Sequence, residues 1–83
     1  MTTAIIIPCY LLPDKDHELR RFTEQCIQSI QAYTTDYRLF LVDNGSPVDS
    51  EWLNQQAHFY LRNKVNLGFA PAVNQGLRCA IGD

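Results

Sequence analysis

Leu39-Phe40-Leu41-Val42-Asp43-Asn44-Gly45-Ser46 is an unbroken apolar run that stops at a polar turn. Continuous rather than alternating apolarity suits a parallel strand covered on both faces. Gly45 supplies the freedom that a tight turn into the next element needs. Two further runs end in the same way. Ala4-Ile5-Ile6-Ile7 leads into Pro8-Cys9-Tyr10, and Phe59-Tyr60-Leu61 leads into Arg62-Asn63-Lys64-Val65-Asn66-Leu67-Gly68-Phe69. In an open parallel α/β sheet, ligands bind outside the carboxyl ends of the strands, because the loops there converge on one crevice. Three polar groups placed just past three strand ends can therefore face one ligand.

Between the runs the periodicity changes to that of helices. Leu11 to Asp16 reads as a loop, and a helix is predicted from about His17 to Tyr33. Asp16 is its candidate N-cap, and Glu18 favours its positive end. Leu19, Phe22, Cys26, Ile27, Ile30 and Tyr33 recur at steps that place them on one buried stripe. Arg20, Arg21, Glu24, Gln25, Gln28 and Gln31 form the opposite, solvated side. Thr34-Thr35-Asp36 breaks the helix before a second strand over Tyr37–Val42. Ser46 as cap, Pro47 at the first helical position and Asp49 closing a capping box start a short helix that ends near Ala57. Trp52 and Leu53 are its buried contacts. A third strand is predicted over His58–Leu61. Pro71 then opens a last helix that buries Val73, Leu77, Ala80 and Ile81, with Gly82 ending it.

This β-α-β-α-β-α order implies right-handed crossovers and a parallel sheet. The fold class is α/β, a three-layer Rossmann-like parallel sheet of strand order 3-2-1. Its first strand is apolar yet lies at an edge, where a further neighbour is expected, so the sheet reads as incomplete.

Composition bounds the function. The chain has 83 residues, 46% hydrophobic and 19% charged, with a net charge of −2. One small domain of this size buries roughly 60–65% of its unfolded surface. The weak acidic balance argues against bulk electrostatic binding to nucleic acid or anionic membrane. No signal peptide or membrane span is visible, so cytoplasmic residence is the expectation, with peripheral attachment at the inner face of the membrane left open. Cys9, Cys26 and Cys79 are odd in number and contain no CxxC pair, which favours reduced thiols over a disulfide framework or zinc site. Cys26 and Cys79 are expected as small core residues. Cys9 has no basic neighbour to activate it as a nucleophile. His17 and His58 read as solvated structural residues.

The chemistry begins at Asp43 and Asn44, which offer acceptors and donors able to read the edge of a planar heterocycle. Asn-Gly is also a common turn pair, and a plain turn is the competing reading. Tyr10 can lie against a base by offset stacking, with its hydroxyl free for a polar contact, or it can pack on the rim. The stretch Asn66 to Gly76 adds a glycine turn, a helix start and two asparagines, Asn66 and Asn74. Free N–H groups at that helix start suit a phosphate, although Pro71 removes one donor. Gly76 inside the helix costs about 1 kcal/mol relative to Ala, which points to a close helix–strand approach.

Ile5-Ile6-Ile7-Pro8-Cys9-Tyr10, Val42-Asp43-Asn44-Gly45-Ser46, Asn66-Leu67-Gly68-Phe69-Ala70-Pro71-Ala72-Val73-Asn74-Gln75-Gly76-Leu77 and Ala80-Ile81-Gly82-Asp83, in that order, closely resemble the N-terminal part of family-2 glycosyltransferases. The resemblance covers essentially the whole chain. It implies the N-terminal half of a GT-A fold, in an inverting enzyme that uses a nucleotide-sugar donor. Pro8, Cys9 and Tyr10 match the segment lining the nucleoside pocket, with Tyr10 as the aromatic that stacks on the base. Cys9 stands where Thr or Ser is more usual. Asp43 and Asn44 match an Asp-Asp or Asp-Asn pair that contacts the base edge and orders the loop, the Asn44 amide oxygen accepting a base N–H. Such an Asn also occurs in members that use deoxythymidine-linked or galactofuranosyl donors. Asn66, Gly68 and Asn74 match the loop and helix that flank the donor diphosphate.

The resemblance further implies a divalent metal, Mg or Mn, held by an Asp-x-Asp motif expected shortly after Asp83. The general base belongs to the same later part. Residues 1–83 are thus expected to be a nucleotide-sugar-binding segment, for a UDP- or dTDP-linked donor, truncated before the metal motif. It has no catalytic or metal-binding residues of its own and is inactive by itself. Polysaccharide biosynthesis is the implied setting, and self-association through the first strand's open edge is the implied behaviour of the segment. The alternative is a non-catalytic nucleotide-binding or scaffold module of the same fold. A phospho-receiver with Asp43 as acceptor would need an acidic pair after the first strand, where Pro8-Cys9-Tyr10 stands instead. A dinucleotide dehydrogenase would need GxGxxG there.

Overall fold

The structure, a computed structural model, describes residues 2–11 and 16–82, with the side chains of 16–19 outside the description. The element order is β1 (Thr3–Cys9), α1 (Asp16–Tyr33), β2 (Tyr37–Asp43), α2 (Glu51–Gln56), β3 (Phe59–Arg62) and α3 (Phe69–Gly82). The strands form one sheet in the order β1-β2-β3, every pairing parallel, as the alternation of elements requires.

Register sorts the side chains by face. Ile5 lies beside Leu39, Ile7 beside Leu41 and Cys9 beside Asp43, and Tyr60 and Arg62 continue these rows on β3. On this face Cys9, Leu39 and Leu41 pack with Ile27 of α1 and Leu53 of α2, all buried. Ile6, Val42, Phe40 and Phe59 occupy the other face. There α3 approaches so closely that a Cβ on Gly76 would collide with Ile6 Cγ2. The result is three layers, with α1 and α2 on one side of the sheet and α3 on the other. The close approach expected of Gly76 is what the structure shows.

Several expectations need correction. Pro8 does not end the first strand but lies inside β1. The Cys9 carbonyl accepts from Asn44 N–H and Thr3 N–H donates to the Asp36 carbonyl, so odd-numbered backbone groups point toward β2. In a parallel strand the alternate residue then points outward, and the N–H that proline lacks falls on the open edge.

In α1 the buried line runs through Ile27 and Ile30, while Phe22, Cys26 and Tyr33 are exposed. A one-residue change of register turns a helix by about 100°, and steps of three and four residues fit either line. The packing on Leu53 and Trp52 of α2 selects the second. The Asp16 cap and the Leu19 and His17 readings rest on side chains outside the described residues.

The helix expected from Ser46 begins instead at Glu51, after Ser50. In α3 the buried residues are Ala72 and Gly76, whereas Leu77 and Ile81 are exposed. Small residues let the helix settle onto the sheet, and the bulky ones are turned aside. His58 is exposed as expected, and its Nδ1 accepts the Leu39 N–H at 2.9 Å at the start of the β2–β3 ladder.

Candidate functional site

The three strand ends are tied together at one edge of the sheet. Leu11 N–H, just past β1, donates to Ser46 Oγ at 2.9 Å. Asn63 N–H, just past β3, donates to the Asp43 carbonyl at 2.9 Å. A cleft of about 170 Å³ opens at this edge, lined by Pro8, Cys9, Tyr10, Asn44, Asn66 and Phe69. Five of the eight residues expected at a nucleotide site therefore meet around one cavity.

Gly45 makes this convergence possible. Its φ is +79°, and a Cβ there would run into the backbone of Val65 and Asn66. The turn after β2 and the loop after β3 are thus in backbone contact, which only a residue without a side chain permits.

Asn44 holds the same loop by its side chain. Its Nδ2 donates to Asn66 Oδ1 at 2.9 Å and to the Gly68 carbonyl at 3.0 Å. Its Oδ1 accepts from Leu67 N–H at 3.0 Å and from Asn63 Nδ2 at 3.2 Å. A primary amide has two donor hydrogens and two acceptor lone pairs, so every position is filled. A base N–H directed at Asn44 Oδ1, as expected from the sequence, would have to displace a bond already made. Asn44 contributes to the cleft as the wall that orders the loop.

Asp43 is fully buried and lies behind the cleft rather than on it. Its Oδ1 accepts Ser46 N–H at 3.0 Å, and its Oδ2 accepts the Ser50 hydroxyl and, at 3.3 Å, the Tyr60 hydroxyl. Arg62 Nε stands 3.6 Å from Oδ2, while Arg62 Nη2 donates to the Ser46 and Val48 carbonyls. A buried carboxylate supplied with several donors is stabilised where it stands. Its role here is to fix the turn, the start of α2 and the end of β3 relative to one another. Of Ser46, Ser50, Tyr60 and Arg62, sequence reasoning assigned none to Asp43; Ser46, three residues on, is within local reach, whereas Tyr60 and Arg62 lie on another strand.

The remaining expected residues fall apart. Gly68, at φ +94°, gives its N–H to Asn66 Oδ1 at 2.7 Å and its carbonyl to Asn44, and so shapes the loop without lining the cleft. Asn74 is exposed on α3, outside the cleft. Phe69 lines the cleft and is 74% exposed, yet it was not singled out. Its place directly after Gly68, at the start of α3, is the signal available.

The cleft's lining carries no charged side chain. Tyr10 and Phe69 present aromatic surface, and Asn66 Nδ2 makes no bond among the described residues, leaving a donor available. Burial, with the neighbouring Asp43 carboxylate adding to it, pushes the Cys9 thiol up to about 12, which disfavours the thiolate near neutral pH.

A divalent metal does not fit this edge. The cleft residues are neutral, Asp43 is engaged by the donors described above, and no group of three or more His, Cys, Asp or Glu is placed to hold an ion among the described residues. A larger cavity, about 260 Å³, lies between α1 and α2 and is lined by Arg20, Glu24, Ile27, Gln28, Trp52, Gln55 and Gln56. It holds none of the candidate site residues and lies between helices rather than at the strand ends, where α/β sheets bind ligands.

The family model for Glycosyl transferase family 2 matches residues 4–83. No curated protein and no solved structure matches the chain.

Proposed function

The chain belongs to glycosyl transferase family 2, and from that membership we propose that it is the nucleotide-binding part of a transferase. The enzyme moves a sugar from a nucleoside-diphosphate donor to an acceptor hydroxyl with inversion, and the cleft takes the donor's base. The carrying observation is the cleft itself, which brings two aromatic side chains and a free amide donor to the end of the sheet. At about 170 Å³ it is smaller than the roughly 300–1,000 Å³ of pockets that enclose drug-sized ligands. It suits one planar ring, with the sugar and phosphates outside. Its neutral lining suits an uncharged heterocycle, and the Asn66 amide suits a ring carbonyl, as UDP and dTDP present.

The catalytic groups belong to residues other than these, and residues 1–83 alone are inactive on this reading. The divalent cation, which would neutralise the leaving diphosphate, is likewise held elsewhere. No helix among the described residues is long and apolar enough to cross a membrane. Our reading places the transfer on the cytoplasmic side, in polysaccharide assembly.

Calorimetric titration with UDP and dTDP, with and without manganese, tests the proposal. We expect binding that does not need the metal. Tyr10→Ala should weaken it about 5- to 150-fold, the range set by roughly 1–3 kcal/mol for stacking one base on an aromatic side chain. A folded chain that binds neither nucleotide, or binds equally well without Tyr10, would refute the assignment.

A further inference from the structure

Two amide side chains meet head to tail between the end of β3 and the middle of α3. Asn63 Nδ2 donates to Gln75 Oε1 at 2.8 Å, and Gln75 Nε2 donates to Asn63 Oδ1 at 2.9 Å. Asn63 Nδ2 also donates to Asn44 Oδ1 at 3.2 Å. The network runs on from Asn44 to Leu67, Gly68 and Asn66. Its polarity is set at the far end, because Leu67 N–H can only donate and the Gly68 carbonyl can only accept. Asn63 and Gln75 are half-buried, and neither lines the cleft.

The loop concerned begins at Asn63, carries Asn66 and delivers Phe69, two of the cleft's walls. It is anchored to β2 through Asn44. The loop runs straight into α3 at Phe69, and its first residue is tied back to the middle of that helix by the Asn63–Gln75 pair. We propose that Asn63 and Gln75 are positioning residues for the cleft, their reciprocal pair locking the loop between β2 and α3 so that Asn66 and Phe69 stand at the height a base requires. The proposal rests on the reading of the cleft as a base site. Pre-organisation of this kind raises affinity by removing the cost of ordering the loop on binding.

Gln75→Glu and Asn63→Asp keep each side chain's shape but replace its donor NH2 with a carboxylate oxygen, which adds a negative charge. Each variant is titrated with UDP and dTDP, its thermal unfolding is recorded, and hydrogen exchange is followed at the Leu67 and Gly68 amides. We expect Gln75→Glu to weaken nucleotide binding about tenfold, as loss of one or two net hydrogen bonds implies, and to speed exchange at Leu67. Asn63→Asp should do the same. The double variant of Asn63→Ala with Gln75→Ala should lose little more than either single change, because the pair acts as a unit. Tyr10→Ala should weaken binding while leaving Leu67 exchange unchanged.

Wild-type affinity in both isosteric variants overturns the proposal, as does weakened binding with no change at Leu67. If the wild-type chain binds neither nucleotide, the base-site reading fails first. Exchange at Leu67 then decides whether the pair positions the loop: unchanged exchange in both variants overturns that too.

Discussion

Cys9 sits at the floor of the cleft with its Sγ 3.7 Å from the Ile7 carbonyl and its thiol held at about 12, against an ordinary value of 9.0. The thiolate is the reactive form, so the folded protein protects this residue while Cys26 lies exposed. Iodoacetamide at pH 8 should therefore modify Cys26 and spare Cys9, and denaturant should abolish the difference, as peptide mass spectrometry would show. The same shift acts on stability. Between about 9 and about 12 the unfolded chain releases the thiol proton and the folded chain retains it, so stability falls as pH rises through that window. Below it the contribution is fully present. Cys9→Ala should flatten this alkaline loss in pH-dependent unfolding. Gly45 is the other residue with a sharp expectation. Gly45→Ala combines a left-handed backbone with a collision against Val65 and Asn66 and should cost about 2–4 kcal/mol in denaturant unfolding. At Gly68 the backbone is also left-handed, but a Cβ would stand 3.7 Å from Pro71 Cδ. Gly68→Ala should cost less, about 1–2 kcal/mol, from the backbone alone.

Among the elements, α3 depends most on one contact. A methyl group at Gly76 gains about 1 kcal/mol of helix propensity but forces Ile6 Cγ2 aside, and overpacking of this kind costs roughly 1–3 kcal/mol. Gly76→Ala should therefore be mildly destabilising alone and neutral or stabilising in an Ile6→Ala background, which a double-mutant cycle by chemical denaturation would reveal. Equal effects in both backgrounds would mean that α3 does not rest on Ile6. The short helix α2 shows why a start signal can mislead. Ser46-Pro47-Val48-Asp49 has the composition of a capped helix start, yet Ser46 Oγ accepts from Leu11 N–H and Ser46 N–H donates to Asp43 Oδ1. Both partners come from outside the segment, and they hold the backbone in a turn until Ser50. The Asp49 carboxylate caps locally instead, accepting Glu51 N–H at 3.0 Å.

At the scale of the molecule, the outer edge of β1 is unpaired among the described residues. On one face of the sheet α3 packs over β1 and β2, and its Leu77 and Ile81 are exposed. An open strand edge beside apolar surface is prone to pair with another chain. The 83-residue chain should associate with rising concentration in sedimentation velocity. Ala4→Pro should shift it toward monomer, because the Ala4 N–H points to the open edge and its loss leaves the β1–β2 ladder intact. A wild-type chain that stays monomeric at every concentration would refute pairing through β1.

The sequence by itself determined the strands, the parallel order, the glycine turn after β2 and the close seat of α3, because each follows from apolar runs, local turn chemistry or a missing side chain. It also placed Pro8, Cys9, Tyr10, Asn44 and Asn66 at one edge, since the ends of parallel strands must share an edge. Only the tertiary structure decided what those residues touch. Asp43 was read as facing a ligand and is enclosed by Ser46, Ser50, Tyr60 and Arg62; Asn44 was read as offering an acceptor and has filled it with Leu67 and Asn63. The face of α1 that is buried, and the start of α2, were settled in the same way. Periodicity repeats along one segment, whereas a buried polar atom takes whichever partner the fold brings within about 3 Å, and apart from Ser46 and Ser50 those partners lie far away in the chain.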